Sequence, residues 1–181
     1  MRAEGGALRR TLSCALLALA MPAIACAQNQ PPFSQPASLM QMMGLTKINV
    51  TYSRPVARGR TLFGGIIKWG KVWTPGADWA SAIEIDKPVL FAGQRLAAGH
   101  YSIWAVPDSA SWTIVLSDQW HVFHTNYPGE SHDVLRVQVK PETGPHIESL
   151  IYYLPEADRD HVVLRIAWGE TMISIPIHVV E

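Results

Sequence analysis

From residue 37 onward the chain alternates apolar and polar positions with a period of two, the signature of half-buried strands rather than helices. Residues 37–43 and 46–53 flank Gly44-Leu45, and a glycine first in a two-residue loop fits the positive φ of a type II′ hairpin. In the second strand Ile48, Val50 and Tyr52 share one face, against Lys47, Asn49 and Thr51. The same alternation predicts strands at 79–86, 88–92, 99–106, 111–117 and 134–140. A turn is expected at 141–145, then strands at 146–154 and 161–168, a two-residue hairpin at Gly169-Glu170, and a last strand at 171–180. Pro176 cannot donate to a ladder and marks an edge or a bulge. About ten short strands with turn signals between them predict an all-β fold. The expected form is an antiparallel β-sandwich, jelly-roll or immunoglobulin-like in layout, in preference to a barrel.

One stretch breaks the rhythm. Residues 52–79 carry Arg54, Arg58 and Arg60, several glycines, two prolines and three of the seven tryptophans. This mixture reads as a shaped excursion between strands, where function commonly sits. Leu62, Phe63, Ile66 and Ile67 have helical spacing, so one short helix or helical turn is expected inside it, weakened by Gly64 and Gly65.

The excursion supplies the candidate ligand-binding residues Tyr52, Arg54, Arg58, Arg60, Trp73 and Asp78. Guanidiniums beside glycine suit a carboxylate, phosphate or sulfate, and Trp73 and Trp79 offer stacking faces for a sugar. The competing reading is structural: the arginines cap carbonyls and the tryptophans fill the end of the sandwich. Trp112 and Trp168 share faces with aliphatic residues and are expected in the core, whereas Trp69, Trp73, Trp79, Trp104 and Trp120 are not assigned by pattern. His121, His124 and His132-Asp133 lie in a long loop, and solvent-facing histidines are the expectation over a metal site. Ser131, His132 and Asp133 are consecutive, and a nucleophilic triad is assembled from distant segments. No phosphate loop, nucleophile elbow, zinc-protease helix or dinucleotide fingerprint is present. The residues therefore lean away from an enzyme and name no catalytic residue, metal or cofactor.

Composition adds an address. Arg2, Arg9 and Arg10 precede the apolar run 12–20, and Ala25-Cys26-Ala27 has the small-x-small pattern of a signal-peptidase site. The reading is a cleaved secretory signal at 1–27, a flexible leader at 28–36 and a single β-sandwich domain at 37–181, placed in the periplasm or secreted. A lipidated Cys26 is the lesser alternative. Both cysteines, Cys14 and Cys26, fall in the signal, so the domain is expected to fold without a disulfide. Residues 28–181 hold 12 basic and 14 acidic side chains, a net −2, which disfavours nucleic acid as a partner. No second apolar run has transmembrane length.

Several blocks together carry a resemblance. These are Tyr52-Ser53-Arg54-Pro55, Arg58-Gly59-Arg60, Phe63-Gly64, Gly70-Lys71-Val72-Trp73 and Gly76-Ala77, followed by residues 96–103, Pro107, Trp112-Thr113-Ile114 and 133–137. In this order they resemble a secreted bacterial family, domain of unknown function 2911, over residues 36–180. The resemblance implies an exported, β-rich bacterial domain and implies no activity. Thr74 and Pro75 stand where the family pattern has arginine and threonine, and Asp78 where it has asparagine. The functional expectation is a non-catalytic binding module for a small polar or anionic ligand or a glycan at the loop end formed by residues 52–79. The alternatives are a module for an envelope protein partner and, less favoured, a hydrolase acting on envelope material.

Overall fold

A computed structural model describes residues 32–180, and the expected signal and residues 28–31 of the expected leader lie outside them. Two antiparallel sheets face each other across an apolar core. The first runs, in spatial order, β1 (Gln35–Met43), β2 (Thr46–Arg54), β3 (Ala82–Ile85), β6 (Gly99–Val106), β7 (Trp112–Ser117) and β8 (Asp133–Val139). The second runs β5 (Gln94–Leu96), β4 (Val89–Phe91), β10 (His161–Val179) and β9 (Pro141–Ala157). The all-β sandwich read from the sequence is therefore the fold. β1 starts two residues before the expected position, so Gln35 and Pro36 belong to the strand.

The period of two sets the inner faces. Ile48, Val50 and Tyr52 of β2 point inward and are buried, as are Ile83 and Ile85 of β3 and Tyr101, Ile103 and Ala105 of β6. The β1–β2 register, Met43 opposite Thr46, closes over Gly44 at φ +59°. A three-residue strand, β5, was not expected. It is too short to show a period, and it pairs with β4 through Ala92-Gly93, both at positive φ as a type I′ turn requires.

No helix forms at 62–67. Ile66 and Ile67 donate to Thr61 and Leu62, five residues back, at 3.0 and 2.9 Å, while Gly64 donates to Ile67 at 2.8 Å. The result is one wide turn closed on itself. Gly65 permits it, because a Cβ there would lie on the Thr61 carbonyl.

β10 reverses on itself. Nineteen extended residues would separate its ends by roughly 60 Å, yet the His161 and His178 rings are 5.7 Å apart. Val179 N–H donates to the Asp160 carbonyl at 2.9 Å, and Arg165 Nε donates to Ser174 Oγ at 3.0 Å. All three pairs fit one antiparallel register centred on Gly169-Glu170, with Gly169 at φ +61°. The hairpin expected there is thus present as two arms of one strand. β9 lies against both: Pro141 to Thr143 beside one arm, Ile147 to Ala157 beside the other. It crosses between them at Gly144-Pro145, which accounts for the turn signal seen at 141–145. Pro176 carries no donor and accepts from Ala92 N–H at 2.8 Å, ending the β4–β10 ladder.

Candidate functional site

The excursion is held by its own polar groups. Thr74 is fully buried; its Oγ1 donates to the Ile103 carbonyl at 2.8 Å and accepts from Ser81 N–H at 3.1 Å. The Pro75 carbonyl accepts from Ser81 Oγ at 2.8 Å and Tyr152 Oη at 2.9 Å. Trp73 pairs with Ala105 through both backbone bonds. Residues 73–75 therefore stitch the excursion to β6 and β9.

The six sequence-predicted residues are dispersed over these contacts. Arg54 Nε donates to the Leu150 carbonyl at 3.0 Å, and Arg60 donates to the Ala57 and Val56 carbonyls at 2.9 and 2.6 Å. The Arg58 guanidinium lies 3.8 Å over the Phe33 ring, and its backbone N–H donates to Glu148. The His146 bond and then that N–H hold the Glu148 carboxyl below its ordinary range. Trp73 is half-buried among Phe63, Trp112 and Trp168. Tyr52 is buried, with its ring 4.5 Å from Tyr152. Asp78 sits at φ +61°, and its buried Oδ2 has no partner among the described residues. Arg60 also borders a cleft of about 370 Å³ with Trp69, Phe63 and His146.

A larger cavity of about 590 Å³ opens on the outer face of the six-stranded sheet. Its floor follows from strand register: Ser38 faces Thr51, and Thr51 faces Ala82. The row continues to Ser102 and Ser117 under the long loop. Small side chains in adjacent strands leave a trough. Ser38 and Thr51 are exposed in it.

The wall is aromatic. Backbone bonds between Ala80 N–H and the Val122 carbonyl and between His124 N–H and the Asp78 carbonyl, both 2.9 Å, lay the loop 118–132 beside Trp79. The Trp79 indole stacks on His121, with centroids 4.3 Å apart and planes 16° from parallel. Trp120 leans on His121 and on His100. Trp79 and Trp120 are 54% and 46% exposed, unusual for a residue that is mostly buried elsewhere. The loop histidines do not gather: His121 is on Trp79, His124 on Phe123, and His132 is 2.9 Å from Asp118. Of the residues named from sequence, Tyr52 and Trp79 from the excursion and Trp120 and His121 from the long loop line the cavity, the last two without having been offered as ligand-binding residues. Ser38, Thr51 and Ser53 carry no site signal of their own, since only pairing brings them together.

The loop is anchored on a second small core. Trp104, Val115 and Ala80 are buried on the outer face under Val122 and Tyr127. Tyr127 Oη donates to Asp133, with both carboxylate oxygens within 2.8 Å, and Arg136 holds the same carboxylate at 2.6 Å. Burial, then Asp133, raises the Tyr127 hydroxyl from 10.0 to about 12. A folded value above the unfolded one gives stability that is complete below the unfolded value and lost as pH rises through the folded one. Base is therefore expected to loosen the loop between about pH 10 and pH 12. Near-ultraviolet circular dichroism of Trp104, whose ring is 5.3 Å from Tyr127, should follow that transition, and Tyr127→Phe should remove it.

The family comparison agrees with the arrangement of blocks in the chain. A family model described as "Protein of unknown function (DUF2911)" matches residues 34–177. No curated protein and no solved structure matches.

Proposed function

Because this chain belongs to the DUF2911 family, whose description assigns no activity, its function is to be read from its own surface, and we propose a non-catalytic binding module for glycans. The observation that carries this reading is the exposed Trp79 indole, fixed by His121 at the wall of a trough floored by Ser38 and Thr51. Sugar rings have apolar C–H faces and hydroxylated edges. A rigid indole covers the first, and serine and threonine hydroxyls serve the second. The stack on His121 orients the ring beforehand, so little order is lost on binding. Arg54 and Arg60 contribute by fixing the excursion, since their Nε groups are held by backbone carbonyls.

The test is calorimetric titration of the purified chain with neutral and acidic oligosaccharides and envelope glycan fragments. Trp79→Ala is expected to weaken binding at least tenfold, about 1.4 kcal/mol. The side chain is half-exposed, so the melting temperature should move little. If no glycan in the set binds, or if Trp79→Ala binds as well as the native chain, this reading fails. A protein-interaction surface then becomes the better account.

A further inference from the structure

The β9–β10 connection lies outside the trough and brings together a different chemistry. Asp158, Asp160 and His161 each offer one metal-ligating atom, and these atoms lie within 4.8 Å of one another. The loop is closed by Asp158 N–H donating to the His161 carbonyl at 2.8 Å. The reversal of β10 adds a second imidazole: His178, from the other arm, stands opposite His161 with ring planes 24° apart. Directly opposed residues of antiparallel strands hold their Cβ atoms about 5 Å apart.

We propose that this corner binds a divalent transition-metal ion of the zinc, nickel or copper type, through His161, His178 and Asp158, with Asp160 orienting His161. Three features support it. His161 Nδ1 is already 2.9 Å from Asp160 Oδ1. That contact leaves Nε2 as the free nitrogen, the arrangement in which a carboxylate orients a metal-bound imidazole. His178 is exposed and its ring lies 5.7 Å from that of His161, so that rotation of its side chain would bring a nitrogen toward the about 2.0–2.1 Å of an N–metal bond. The mixture of two imidazoles with carboxylates favours zinc, nickel or copper over calcium or magnesium, which take oxygen ligands. Asp160, with lesser help from Asp158 and Glu156, raises the His161 proton affinity, so protons compete with the metal. Facing His161 are these carboxylates and His178.

The experiment is calorimetric titration of the chelator-stripped full chain with zinc and nickel chloride, paired with the visible spectrum of cobalt(II) added to the same protein. One ion per chain is expected. His161→Gln and His178→Gln should each weaken it at least ~10-fold, whereas His121→Gln and His124→Gln leave it unchanged. The cobalt spectrum reports ligation independently of stability. Absence of binding, binding insensitive to either His161→Gln or His178→Gln, or loss of binding in His121→Gln would each overturn the proposal.

Discussion

Trp104→Ala is expected to cost about 3–5 kcal/mol, the range for deleting a large buried aromatic, and to abolish ligand binding in the trough although Trp104 does not line it. The ring is fully buried on the outer face, tilted against Tyr127 at 5.3 Å, and its Nε1 donates to Ser102 Oγ at 2.8 Å. Ser102 Oγ in turn donates to the Gln119 carbonyl at 2.9 Å, one residue before Trp120. Removing the indole thus leaves the loop that carries Trp120 and His121 without its support. At this chain length each kcal/mol moves the melting temperature by about 2–4 °C, so a drop of about 6–20 °C is expected. The contrast with Trp79→Ala is the informative part. Both should lose binding, but only Trp104→Ala should lose substantial stability. Equal melting temperatures for the two variants would mean that Trp104 does not hold the loop.

Thr74→Val should cost about 2–4 kcal/mol despite preserving shape. The hydroxyl both donates to the Ile103 carbonyl and accepts from Ser81 N–H, and the site is fully buried. Valine leaves two buried partners unpaired, at about 1–3 kcal/mol each, partly relieved by local shifts. Thr74→Ser, which keeps the hydroxyl, should recover most of the loss. Denaturant midpoints at constant slope are the measurement. A Thr74→Val variant as stable as the native chain would show that the excursion is held mainly by its aromatic cluster and by Pro75. The bonds at Ile103, Ser81 and Tyr152 give Thr74-Pro75 a structural role.

The pattern of residues also explains what was misplaced. Leu62, Phe63, Ile66 and Ile67 carry helical spacing, but Gly64 at φ +81° and Gly65 against Thr61 turn the segment back before a helix can extend. Leu62 and Ile67 still enter the core, and Ile66 stays exposed. Trp112 and Trp168, assigned inward by their strand neighbours, are buried. Trp104 could not be assigned from its own strand: alternation puts it on the outer face, and only the loop 118–132 folding over that face buries it.

By itself the sequence determined most of the strands, the sandwich class, the family and most of the inward faces. Each of these is a local matter: which side chain alternates with which, and where a glycine or proline stops the ladder. The trough was decided by tertiary structure alone. Ser38, Thr51 and Ala82 become one floor only through the pairing of β1, β2 and β3. Trp79 meets His121 only because a loop forty residues on returns to the same edge, as the Ala80–Val122 backbone bond records. The His161–His178 pair likewise exists only in the reversed register of β10. Side-chain period tells which face a residue takes, but not what stands across from it, because that is fixed by the register of segments distant in the chain.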